Sequence, residues 1–204
     1  MGTFSTIIRL QGCPSSCFNC PHQTAAGAVG MACEIPGDEV PIEMMLGKNT
    51  HNSKSFAILT PSQIMAIVWE NQKPPFDVII TGGEPASHDL LMLTALLVEN
   101  EYEVTLHTGG ELPFQVAQGT NISVRPRTRL CLPGSLNTAD EVIFIVKDQS
   151  DLAWLDVLME HVDDQETSVF IQPDGPQAMD VCLQAAADRG FRLSYKPQYL
   201  ATHG

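Results

Sequence analysis

Three cysteines, Cys13, Cys17 and Cys20, crowd into the stretch RLQGCPSSCFNCPHQ (9–23) at a Cx3Cx2C spacing. A disulfide uses two thiols and a closed structural zinc site uses four ligands, so three thiolates point to a centre with one open position. A cubane iron–sulfur cluster takes soft, anionic ligands, and a loop of this spacing can wrap three of its corners. The competing reading is zinc, held by Cys13, Cys17, Cys20 and His22 as a Cys3His site. Either centre needs its loop, residues 12–22, presented from a rigid element. The apolar run STIIRLQ (5–11), read as a β-strand, delivers the chain straight into it.

Beyond an irregular insertion over 21–60, rich in Gly, Pro, Ala, Asn and Met, the chain alternates strands with helices. TPSQIMAIVWENQ (60–72) predicts a helix with Thr60 as N-cap and Pro61 at its first position. FDVIITGGEP (76–85) reads as a buried strand and its exit loop, SHDLLMLTALLVEN (87–100) as a helix with a Leu/Met core face, and YEVTLHT (102–108) as a strand. Strands over 121–127, 140–146, 168–173 and 191–195 follow, with helices over 151–162 and 176–190. Gly190 ends the last helix. Such alternation implies an α/β fold with a mostly parallel sheet, open or closed, and one domain over 1–204. Chemistry in these folds gathers at the C-terminal ends of strands. The expectation is that GCPSSCFNC, TGGEP and IQPDG face one another across one rim.

Charge narrows the partners. With 24 acidic and 11 basic side chains the formal net charge is −13. That surface repels phosphate backbones and anionic membranes, which leaves a small molecule as the expected ligand rather than nucleic acid or a membrane. No apolar run reaches the length of a membrane span. The six cysteines do not form a disulfide framework, which implies a reducing cytoplasm. Cys33 reads as a free thiol, Cys182 on an apolar helix face as core, and His88 as a capping or surface residue.

TGGEP (81–85) adds a second constellation. Paired glycines allow a ligand close to the backbone, and Glu84 can accept hydrogen bonds from an ammonium group. With the three-cysteine loop on the preceding strand, this resembles the radical S-adenosylmethionine (SAM) enzymes. In them Cx3Cx2C binds a 4Fe–4S cluster and a GGE motif holds the methionine end of SAM. IIRLQGCPSSC, VIITGGEPASHDLLMLTALLVENEYEV, ADEV, SVFIQP and RGFRLS are similar, in this order, to segments of the 7-carboxy-7-deazaguanine synthases.

The resemblance implies a compact, incomplete (β/α) barrel, in which reductive SAM cleavage yields a 5′-deoxyadenosyl radical. It implies a carbon–nitrogen lyase of queuosine biosynthesis. The substrate is 6-carboxy-5,6,7,8-tetrahydropterin and the product 7-carboxy-7-deazaguanine, with loss of ammonia. Cys13, Cys17 and Cys20 would hold the cluster. Gly82, Gly83, Glu84, Thr108, Arg125, Arg127, Gln172 and Pro173 would contact SAM, and Arg9 and Thr81 the substrate, with Arg9 on its carboxylate. His107, beside Thr108, is a further candidate for the SAM pocket. A homodimer and an electron donor such as flavodoxin are implied as partners.

Departures from the family accompany the matches. Asn19 stands where an aromatic residue is usual, and Pro21 and His22 replace Asp-Thr, whose threonine helps to hold Mg2+. Neutral imidazole is a poor Mg2+ ligand beside hard oxygen donors. VRPR (124–127) replaces a Ser-Pro-Lys turn, keeping basic character at Arg125 and Arg127 but losing the serine. The family's leading pterin-gripping segment has no counterpart, and its Gln-x-His-Lys pattern survives only as KPQYLATHG, with His203 out of place. Two alternatives follow: a divergent radical SAM enzyme or activase with another substrate, and a zinc-stabilised binding module.

Overall fold

The computed structural model describes residues 5–14, 38–44, 46, 55–71, 74, 76–163 and 165–195. The chain divides into two compact units, residues 1–107 with 114–121, and residues 108–113 with 122–204.

In the first unit three parallel strands lie in the order β1 (Ser5–Leu10), β4 (Asp77–Gly82) and β5 (Glu103–Thr108). Alternation along them divides two faces. Ile8, Leu10, Val78, Ile80, Val104 and Leu106 join Met65 and Val68 of α1 (Pro61–Asn71) and Leu93 and Leu97 of α2 (Leu91–Glu99) in one core. Each fully buried Leu, Ile or Val here contributes about 1.5–3 kcal/mol. The other face carries Ile7, Arg9, Ile79, Thr81, Thr105 and His107, all partly or well exposed.

Helix α1 starts where its sequence implies. Gln63 N–H donates to Thr60 Oγ1 and Gln63 Oε1 accepts from Thr60 N–H, a reciprocal capping box. Helix α2 starts later than its pattern implies, because Pro85–Ser87 closes a separate 3-10 turn first. Its Leu/Met stripe is also split: Leu90, Leu93 and Leu97 are buried, whereas Leu91 and Met92 are exposed. Within the insertion, β2 (Asp38–Glu39) and β3 (Ser55–Phe56) pair in parallel, so the segment is not wholly irregular.

Thr94, fully buried in α2, ties this unit to its own last loop. Its hydroxyl donates to Leu90 O at 2.9 Å and accepts from Ala117 N–H at 2.9 Å. Thr94→Val keeps the shape but strands the Ala117 amide, so urea unfolding is expected to show a loss of about 1–3 kcal/mol.

In the second unit β6 (Thr120–Val124), β7 (Glu141–Val146), β8 (Ser168–Pro173) and β9 (Arg192–Leu193) run parallel in that order. A short helix α3 (Pro133–Asn137) fills the segment read as irregular between β6 and β7. Helix α4 (Ser150–Met159) packs on β7 and α5 (Met179–Arg189) on β8, burying Leu152, Leu155, Leu158, Cys182, Ala185 and Ala186. Burial, reinforced by the charge of Asp151, pushes the Cys182 thiol up to about 11, which suits its expected core role. Gly190 ends α5 in the left-handed conformation, φ 71°, as the sequence implies.

Candidate active site

Strand β1 carries the chain to Gly12 and the buried Cys13. Here the β1–β4 ladder continues past both strand ends. Gly83 N–H donates to Leu10 O at 3.0 Å, and Glu84 N–H donates to Gly12 O at 2.9 Å. A third tether comes from His88, whose Nε2 lies 2.7 Å from Gln11 O and, as the protonated nitrogen, donates to it. The carbonyls of three consecutive residues leading into Cys13 are thus held by the GGE loop and the turn that follows it.

The two glycines are needed for this approach. A Cβ on Gly82 would stand 1.9 Å from Leu10 O, at a backbone φ of +134° that side chains rarely adopt. A Cβ on Gly83 would stand 2.1 Å from Gly12 O and 3.0 Å from Cys13 Cβ. The sequence expectation was of amides free for a ligand. Instead the Gly83 and Glu84 amides are spent on the cysteine loop, and the close approach is of backbone to backbone. Glu84 itself is buried; its Oε1 accepts from Ala86 N–H at 3.0 Å, which fixes the carboxylate over the 3-10 turn.

Arg9 and Thr81 are register partners across β1 and β4, so both sequence-predicted substrate residues share one face. His107, one residue past the Ile80–Leu106 pair, continues the row on β5. Partial burial lowers the Arg9 pKa from its ordinary value but leaves the guanidinium charged. Arg9, Gln11 and His88 also border a cavity of about 600 Å³, walled on its apolar side by Leu59, Ile64 and Ile67. That size suits a small-molecule site. Sequence reasoning passed over His88 as a surface or capping residue; its bond to Gln11 depends on a loop-to-loop approach that no local pattern encodes.

The second unit holds the other predicted SAM residues. Thr108 is buried, and its Oγ1 accepts from Gly110 N–H at 3.0 Å. Arg125 N–H donates to Thr108 O at 2.8 Å and Leu132 N–H to Gly110 O at 2.8 Å, knitting the turn at 108–111 to the loop after β6. Gly110, at φ +75°, leaves no room for a Cβ beside Cys131 Sγ. Arg127 is partly buried in that loop. Gln172 and Pro173, at the end of β8, are both buried, and Gln172 Nε2 donates to Ser194 Oγ at 2.8 Å.

Cys17, Cys20, His22, Cys33 and His203 lie outside the described residues. Among the described residues no group of three or more His, Cys, Asp or Glu side chains forms a metal site. No described helix is long and apolar enough to cross a membrane.

No protein-family model matches the chain. It is 28% identical over 201 residues to the 7-carboxy-7-deazaguanine synthase of Escherichia coli (strain K12), covering 95% of this chain and 87% of that one. It is 26% identical over 197 residues to the enzyme of the same name from Buchnera aphidicola subsp. Schizaphis graminum (strain Sg), again with 95% and 87% covered. The crystal structure of QueE from Escherichia coli aligns with a TM-score of 0.84 at 29% identity, covering 96% of this chain and 86% of that chain.

Proposed function

We propose that this chain, a member of the 7-carboxy-7-deazaguanine synthase family, is the radical SAM lyase that forms 7-carboxy-7-deazaguanine from 6-carboxy-5,6,7,8-tetrahydropterin with loss of ammonia. One observation carries this reading. The GGE loop is hydrogen-bonded to the three residues that deliver Cys13, so a cluster ligand and the SAM-binding motif form one local structure.

The residues present fit the absent groups. Cys13 offers a soft thiolate donor, joined in sequence by Cys17 and Cys20, and leaves one cluster position without a cysteine. The fixed carboxylate of Glu84 offers an acceptor for the SAM ammonium. When bound, the reduced cluster and SAM supply the radical chemistry. The chain's own residues bind and orient: Arg9 takes the substrate carboxylate through its fork, with Thr81 beside it on the same face. Thr108, Arg125, Arg127, Gln172 and Pro173 complete the SAM contacts.

The finer elements of the reading are a single radical SAM domain over 1–204, a homodimer, a flavodoxin-type reductant and a cytoplasmic setting. They rest on the family likeness and, for the cytoplasm, on cysteine usage. Mg2+ at His22 is the weakest-matched element, since imidazole replaces a hard oxygen donor there.

Anaerobic reconstitution with iron and sulfide, followed by SAM and a reductant, tests the class. Iron and sulfide in the protein with 5′-deoxyadenosine release is the expected result; about one zinc and no iron would favour the binding module instead. Ammonia release that requires the carboxytetrahydropterin tests the substrate. SAM cleavage without it would favour a divergent enzyme.

A further inference from the structure

Two buried side-chain polar atoms make no hydrogen bond in the structure, the Thr120 hydroxyl and Nε of Arg125. An unmet hydroxyl is a modest cost, but a guanidinium taken out of water without a partner is a large one. Native proteins rarely keep such a group without a purpose.

The surroundings of Arg125 say what would satisfy it. Its backbone is pinned by the bond to Thr108 O, directly after β6. Ser123 pairs in register with Glu141, and Ser123 Oγ donates to the Glu141 carboxylate at 2.7 Å. The Glu141 charge acts favourably on Arg125, yet the two form no ion pair. Arg127 adds a second positive charge in the same neighbourhood. Burial is the largest influence on Arg125 and lowers its pKa, though an arginine so far above neutrality stays charged. Two guanidiniums acting with one carboxylate leave one positive charge to be met by a monoanion. A planar carboxylate is the anion that the Nε edge of a guanidinium fits best.

We infer that Arg125 is a specificity-determining contact for a carboxylate-bearing ligand, bound through its buried Nε–H edge. The anion site stands on the geometry of the second unit alone. Its two candidate sources, the amino-acid carboxylate of SAM and the carboxylate of the pterin, rest on the function proposed above.

The test uses full-length, 15N-labelled protein with the cluster unreduced. The Arg125 Nε–H signal, identified by its loss in Arg125→Gln, is followed as formate is added. A saturable shift, absent in the variant, is expected; no saturable shift would overturn the proposal. Binding is then compared for SAM against decarboxylated SAM, and for 6-carboxypterin against pterin lacking the carboxyl.

In one pair wild type should prefer the carboxylate form by roughly ten- to a hundredfold, and Arg125→Gln should abolish the preference. Loss in the first pair names SAM as the source, and loss in the second names the substrate. Unchanged preference in both pairs would overturn the inference. Failure of wild type to bind SAM or pterin at all would count against the proposed function, and the formate shift would still decide the anion site.

Ligand-free Arg125→Gln is expected to melt no lower than wild type, because an unpaired buried charge is removed. A fall of several degrees would show that the guanidinium has a structural partner instead, which also overturns the inference. Should Arg125→Gln not fold, Arg125→Lys, which keeps the charge but loses the planar fork, takes its place in every arm.

Discussion

Cys13→Ala is expected to abolish cluster assembly and reduce reductive SAM cleavage to background, while leaving the protein folded. Cys13 is buried at the exit of β1, where it is held by backbone bonds that do not involve its side chain: Leu10 O and Gly12 O accept from Gly83 and Glu84, and Gln11 O is held by His88. Removing one small sulfur from that position costs on the order of 1 kcal/mol, far less than a typical domain's stability. The metal centre, in contrast, loses one of its three cysteine ligands. Iron and sulfide content, the cluster's reduced-state electron paramagnetic resonance signal, and 5′-deoxyadenosine yield should all fall together. Cys182→Ala is the matched control, since that thiol is fully buried under α5 and away from the loop; it should keep the cluster. A Cys13→Ala protein that still assembles the cluster and cleaves SAM would assign the ligand to another cysteine.

Gly83→Ala should be as damaging by a different route. The added Cβ would meet Gly12 O at 2.1 Å and Cys13 Cβ at 3.0 Å. Its principal obstacle is a backbone carbonyl, so no rotamer change relieves it, and either the GGE loop or the cysteine loop must move. Moving them breaks the Gly83–Leu10 and Glu84–Gly12 bonds. Together these effects should cost about 3 kcal/mol or more in stability. Cluster occupancy should fall with it, because Cys13 is displaced along with Gly12. Gly134→Ala provides the contrast: a Cβ there meets nothing within 4 Å and lies in helix α3, so it should change stability by less than about 1 kcal/mol. Urea unfolding of the two variants beside wild type checks both expectations. If Gly83→Ala were as stable and as well loaded as wild type, the coupling of the two loops would be lost as an explanation.

Long, strongly patterned elements were legible from sequence for local reasons. The Thr60–Gln63 box starts α1, Gly190 stops α5, and the β-branched run before TGGEP forms β4 within one residue of its expected start. What escaped depends on partners distant in sequence. The two-residue strands β2 and β3 exist only through each other, and α3 is a five-residue helix whose pattern is too short to read. Leu91 and Met92 look like core residues until the 3-10 turn at Pro85–Ser87 delays α2 and sets which side of the helix faces the sheet.

The site divides in the same way. Arg9 and Thr81 were singled out by family likeness, and the β1–β4 register places them side by side. The glycines were also singled out, yet their physical task differs from the expected one: they admit the cysteine loop, and their neighbouring amides hold it. That task, like the tether from His88 to Gln11, follows from parallel register and not from the motif. The burial of Arg125 was likewise invisible, since a basic residue in a Pro-containing loop ordinarily reads as solvated.

The most direct test of the whole account is product identity. Reconstituted protein, SAM, a strong reductant and 6-carboxy-5,6,7,8-tetrahydropterin are combined without oxygen, and the products are read by chromatography and mass spectrometry. The account predicts 7-carboxy-7-deazaguanine and an equal amount of ammonia, both absent when Cys13 is alanine. Recovery of unchanged pterin from a preparation that cleaves SAM would contradict it.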